Sequence, residues 1–202
     1  MFTSKRSSLA FAISLGIAFC ATAPAQTSIG LSLLGSWSQS TTGNGVHESP
    51  SAAAGGLFEL RHIRNPILGF EGTYSYNRSN QVFRCAGTGC ITTVPQPVSA
   101  NAHTVTVDWI PSVHFANLRP FGVLGIGGIF TVPAGNAPGT QNSTEVVYVY
   151  GAGLDITMVP HFGLRLQYRG NLNKAPDISK LYTSTDTFRH TAQPMAGLYI
   201  NF

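Results

Sequence analysis

The sequence predicts an all-β fold, an eight-stranded antiparallel up-and-down transmembrane β-barrel. Three observations carry this. Eight segments alternate apolar and polar residues with period two, the pattern of a strand with one apolar face. The links between them run long, short, long, medium, long, short, long, as in a membrane barrel with external loops at one end and tight turns at the other. Charged residues make up 10% of the 202-residue chain, against about 25% in a typical soluble domain. No segment of the mature chain approaches the roughly 18 continuous apolar residues of a transmembrane helix. The competing reading is a soluble eight-stranded calyx exported to the periplasm.

Residues 1–25 have the three parts of a secretory signal peptide. Lys5 and Arg6 form the basic start, Leu9 to Phe19 an apolar run broken by Ser14 and Gly16, and Ala23-Pro24-Ala25 a small-residue cleavage site. The run is too short to span a bilayer. The expected mature domain is therefore residues 26–202. Cys20 opens a second option, a lipidated N-terminus, which Phe19 argues against because a small residue precedes the lipidated cysteine. Lys5 and Arg6 leave with the signal, so the mature net charge is +2. That is too weak for a nucleic-acid footprint, and no nucleic-acid partner is expected.

The strands follow in order, separated by Gly, Pro, Asn and Ser clusters. The first is Thr27 to Ser38, with Ile29, Leu31, Leu33 and Trp37 on one face. A polar stretch, Gln39 to Ser51, links it to the second, Ala52 to His62, where Phe58 and Leu60 oppose Glu59 and Arg61. A tight turn around Asn65-Pro66 leads to the third, Ile67 to Arg78, with Phe70, Tyr74 and Tyr76 against Glu71, Thr73 and Ser75. After a long polar stretch, Ser79 to Val98, the fourth runs Ser99 to Ile110, with Val105, Val107 and Trp109 against Thr104, Thr106 and Asp108. The fifth, Arg119 to Thr131, is so glycine-rich that its faces cannot be assigned. The sixth, Thr144 to Met158, sets Tyr148, Tyr150, Leu154 and Ile156 against Gly151, Gly153 and Asp155. A Val-Pro-His turn gives the seventh, Phe162 to Asn173, with Leu164, Leu166 and Tyr168 against Arg165, Gln167 and Arg169. The eighth, His190 to Phe202, alternates to the last residue.

The charges on the polar faces are the most informative set: Glu59, Glu71, Asp108 and Asp155, with Arg61, Arg165 and Arg169. Inside a barrel of eight strands they share a narrow interior, and unpaired charge there is costly, so they are expected to pair into a lumen ion network. A gated polar pathway is the alternative use of the same residues. Cys85 and Cys90 are the mature cysteines, and in an exported chain they are expected to form a disulfide on an external loop. The six histidines have no short metal-ligand spacing, and the glycine-rich fifth strand has no following helix to make it a phosphate loop. No catalytic residue, metal or cofactor is therefore expected.

The ending M-A-G-L-Y-I-N-F resembles the C-terminal signal of bacterial outer-membrane β-barrels, with Gly197, Ile200 and the terminal Phe202 in place and Met195 where a polar residue is usual. Together with G-L-R-L-Q-Y-R-G at Gly163 to Gly170 and R-P-F-G-V-L-G-I-G-G from Arg119, it makes the mature chain resemble the small outer-membrane β-barrels, such as the transmembrane domain of outer-membrane protein A. The resemblance implies an outer-membrane location, contact with outer-membrane lipid, and delivery to the barrel assembly machinery through the last strand. It implies a structural or surface-interaction role acting through external loops, with any surface partner unknown. A narrow porin is the alternative. A lipid-modifying enzyme is a further one, but R-G-N-L-N-K on the seventh strand has neither the His nor the Ser of one such type. The expectation is a protein that is not an enzyme.

Overall fold

The computed structural model describes residues 26–86, 96–135 and 139–202. Eight long strands form the barrel: β1 Gln26–Ser38, β4 Ala53–Ile63, β5 Gly69–Cys85, β6 Gln96–Trp109, β7 Leu118–Pro133, β8 Ser143–Val159, β9 Phe162–Lys174 and β10 Phe188–Asn201. Two short strands, β2 Thr41–Gly43 and β3 Val46–Pro50, lie between β1 and β4. Each long strand pairs antiparallel with its neighbours in the chain, and β1 pairs with β10, Leu31 opposite Leu198, to close the ring. In hydrocarbon no water can satisfy a free sheet edge, so closure is the condition for a sheet to span a membrane.

The faces follow the sequence alternation. Outward are Leu31, Leu33, Phe58, Leu60, Val105, Val107 and Leu166, all exposed. Inward are Ser28, Ser32, Thr73, Ser75, Thr104 and Thr106, all buried. The fifth barrel strand, β7, buries Phe121, Val123, Ile129 and Thr131 and exposes Leu124, Ile126 and Phe130. Its inward face is thus largely apolar, and Phe121, Val123 and Ile129 join Ile110, Val147 and Val149 in a cluster on one wall of the lumen; Leu34, Leu57 and Met195 form a smaller one. Gly122 and Gly128 on its outward face and Gly125 and Gly127 on its inward one obscure the period.

Three elements depart from the sequence reading. The stretch 39–51 contains the hairpin β2–β3, whose Asn44 and Gly45 both have positive φ (50° and 75°); Asn-Gly is the residue pair such a tight turn favours. β5 runs seven residues past Arg78, to Cys85, and β3 pairs with that extension, His47 opposite Arg84. The sheet β2-β3-β5-β6 therefore stands above the rest of the barrel. Finally, the link 175–187 is not a free loop. It folds inward, burying Ala175, Ile178 and Tyr182, and stacks Tyr182 on Phe83 at 5.8 Å between ring centroids. Hydrogen bonds strap it to the hairpin (Thr41 to Thr185, 3.0 Å; Asn44 Nδ2 to Ser184 O, 2.8 Å) and to the β7–β8 link (Lys180 N to Gly139 O, 2.8 Å).

At the other end the turns are short. Asn65 Oδ1 accepts from the backbone of both Ile67 and Leu68, at 3.0 and 2.8 Å, which fixes the β4–β5 turn by an Asx bond. Both β1 and β10 begin or end at this side, where Phe202 N donates to Thr27 O at 2.9 Å.

Candidate functional site

Five of the eight carboxylates of the chain, Glu48, Glu59, Glu71, Asp108 and Asp155, are buried inside the barrel. Period-two geometry puts them there, because each occupies an inward position in the alternation of its strand. Four of them alternate with three arginines in one continuous ladder. Glu59 binds Arg165. Arg165 binds Asp155 in a bidentate contact, Nε to Oδ1 at 2.6 Å and Nη2 to Oδ2 at 2.9 Å. Asp155 Oδ2 also accepts from Arg61 Nη1 at 3.2 Å. Arg61 donates to Glu71 from Nε at 2.6 Å, with Nη2 at 2.5 Å. Glu71 accepts from Arg169 at 3.2 Å, and Arg169 ends the ladder on Asp108 at 2.7 Å.

Strand register builds these pairs. Arg61 lies opposite Glu71, Glu71 opposite Asp108, and Asp155 opposite Arg165. Directly opposed inward side chains on antiparallel strands are in contact distance. Small residues make room: a Cβ at Gly30 would collide with the Glu59 carboxylate, and one at Gly125 with that of Asp108. Thr106 fills out the last rung, accepting from Arg169 Nη2 and donating to Asp108, both at 2.9 Å, with Thr73 2.6 Å away. Below the ladder two aromatic rings cover the guanidiniums. The Phe121 ring lies 4.1 Å from Arg61 Cζ and the Tyr199 ring 4.9 Å from Arg165 Cζ, distances suited to cation–π attraction.

All seven inward charges of the sequence reading lie in this ladder. Arg119 was missed, since its strand had no assigned face. It lies opposite Asp155 on β7, across from Arg165, and bonds Gln26. A second buried pair was also missed. Arg189 Nη1 contacts Glu48 at 3.2 Å and Gln81 at 3.3 Å. Extending the β10 alternation two residues below Thr191 would have found Arg189; Glu48 sat in a stretch read as loop. Glu48 is level with Phe83, above the membrane-spanning part of β5. Burial pushes its carboxyl up to about 7, against the opposing pull of Arg189.

The outer face carries polar aromatics. Tyr74 pairs with His103 at 2.8 Å and Tyr150 with His190 at 3.0 Å, and Trp109 Nε1 donates to Ile67 O at 2.6 Å near the turn end. Such side chains suit a membrane interface, where a ring is half apolar and half wet. Among the described residues, no group of three His, Cys, Asp or Glu side chains could hold a metal ion. Cys85 ends β5 and is disulfide-bonded. Cys90, its expected partner, and residues 1–25 lie outside the described residues.

A family model described as the outer membrane protein β-barrel domain matches residues 11–193. The chain belongs to that family. Solved structures of family-like barrels share the fold. OprG of Pseudomonas aeruginosa is 11% identical, with a TM-score of 0.58 over 89% of this chain and 96% of its own. Neisserial surface protein A is 10% identical, with a TM-score of 0.57 over 87% and 97%. Ail of Yersinia pestis, solved with the heparin analogue sucrose octasulfate, is 16% identical, with a TM-score of 0.56 over 89% and 100%. No curated protein matches the chain. The protein is a bacterial outer-membrane barrel whose interior is filled by a buried ion network.

The ladder predicts a specific coupling. Asp155→Asn and Arg165→Gln should each destabilise the barrel by roughly 3–5 kcal/mol, because each leaves a buried charge without its partner. Arg165→Gln should cost more, since it leaves Glu59 without an arginine, whereas after Asp155→Asn Arg165 keeps Glu59 and Arg61 keeps Glu71. The double variant should cost less than the sum by about 1–3 kcal/mol in a urea-unfolding cycle. Additive losses would show that the two side chains do not act as a unit.

Proposed function

We propose that this family member is a structural or surface-interaction barrel of the outer membrane, built on the plan of the transmembrane domain of outer-membrane protein A. Its lumen does not conduct, and any binding is done by its external segments. The observation that carries this reading is the continuous charge ladder across the lumen, with the 175–187 strap folded over it at the outer end. An ion in transit would have to break several charge-assisted bonds at once. Planar-bilayer recordings of the refolded protein should show no channel activity. Steady single-channel steps would replace this reading with that of a narrow porin.

Export and the external staple belong to the same proposal. Residues 1–25 are a signal peptide, and the disulfide of Cys85 is to Cys90, on the loop beyond β5. Intact mass spectrometry of protein extracted from outer membranes should give a chain starting at Gln26, lighter than the dithiol by two hydrogens. A chain retaining residues 1–25, or two free thiols, would contradict one or the other half.

The C-terminal strand is proposed to engage the barrel assembly machinery through Gly197, Ile200 and Phe202. Phe202 is exposed and lies one residue past the end of β10, so its loss costs the folded barrel little. Deleting it should lower the amount of protein reaching the outer membrane while leaving refolding in detergent intact. Equal loss of both would assign Phe202 to stability instead.

A further inference from the structure

Above the charge ladder the lumen holds a polar chamber of about 20 Å³, somewhat more than the roughly 10–15 Å³ that one water needs. Its walls include Asn77, Gln81, Asn171, Thr191, Gln193 and Arg189. An apolar cluster of Val46, Phe83, Ala100, Ile178 and Tyr182 lies on its outer side. Arg189 is the one charged residue among those lining the chamber, and no carboxylate is among its walls. Arg189 is buried, and its Nε has no hydrogen-bond partner among the described residues. Its two side-chain contacts, to Glu48 and Gln81, are long for a guanidinium, at 3.2 and 3.3 Å. A buried donor of this kind is costly unless something accepts from it.

We propose that this chamber binds one small anion of halide size, with Arg189 supplying the charge and the surrounding amides and hydroxyls the neutral donors. Asn171 Oδ1 is also without a partner, and as an acceptor it would oppose an anion. Asn171 Nδ2 donates to Gln193 Oε1 at 3.0 Å. Turning both amides over together replaces that bond with one in which Gln193 Nε2 donates to Asn171 Oδ1, and it puts Asn171 Nδ2 where the unpartnered oxygen was.

Glu48 sets how much of the Arg189 charge is available. Ionised, it neutralises Arg189; protonated, it leaves the guanidinium free to hold an anion. Its carboxyl is raised by burial to about 7, and Arg189 and Asp177 are the charged groups that act on it. Opposite it, β2 presents Thr41 and β5 presents Phe83, neither of which titrates. Anion uptake is therefore linked to proton uptake, and binding strengthens as pH falls through about 7.

The test uses the refolded mature barrel in detergent, with sodium bromide titrated against sodium gluconate at constant ionic strength. Thermal unfolding is followed at about pH 5.5 and about pH 8.5, on either side of the Glu48 transition. A saturable rise in unfolding temperature with bromide is expected, with affinity at least about tenfold weaker at the higher pH. Glu48→Gln should bind with no such pH dependence, and Arg189→Gln should lose the effect. Crystals soaked in bromide should show an anomalous peak within hydrogen-bonding distance of Arg189. Absence of both the saturable shift and the peak in the unaltered protein would leave the chamber with water only and overturn the proposal, as would a shift retained by Arg189→Gln. If Arg189→Gln does not fold, the anomalous map of the unaltered protein decides.

Discussion

The pairing of β1 with β10 is the constraint on which the rest of the structure depends. A sheet in hydrocarbon has no solvent for its edge, so every strand must find two neighbours. Once eight strands close on themselves, the interior is fixed at a width that side chains can span. The lumen must then be filled by residues that occur at every second position of strands whose other face meets lipid. Those positions are mainly polar in this chain, and the solution is a set of charges that satisfy one another. The ladder is thus a consequence of closure.

Filling is not uniform around the ring. β7 and part of β8 turn Phe121, Val123, Ile129, Val147 and Val149 inward, and the charges of β4, β5, β6, β8 and β9 gather beside this apolar wall. A guanidinium laid against an aromatic ring keeps attraction on a side where it has no hydrogen-bond acceptor. Arg61 over Phe121 shows this directly. The low dielectric of such a wall strengthens each pair, and makes each unpaired member more costly.

Strand order, closure and most faces could be read from the sequence, because lipid on one side and packed polar groups on the other enforce strict alternation. Glu71 and Asp108 are an example: each sits amid residues whose period is unbroken. Reading failed where a different force decided. On β7, glycines removed the side chains whose alternation would have shown the face. In the 175–187 strap, polar residues such as Thr185 and Ser184 are bonded to the β2–β3 hairpin, a long-range contact that no local pattern announces. The hairpin itself was readable from Asn44-Gly45, but the polar run around it suggested an unstructured loop. Glu48 and Arg189 were hidden for the same reason, since they belong to the part of the barrel that rises out of the membrane and is no longer governed by lipid.

Alternation of sign along the ladder has an electrical consequence. Arg61, Arg165 and Arg169, with the half-buried Arg119 opposite Asp155 in register, balance Glu59, Glu71, Asp108 and Asp155 as four against four. Charges of opposite sign set a few ångströms apart form nested dipoles pointing in different directions, and their far field dies away much faster than that of a lone charge. A solute ion drifting past either mouth therefore meets almost no pull from the barrel's centre. Whatever attracts or repels it must come from the rim.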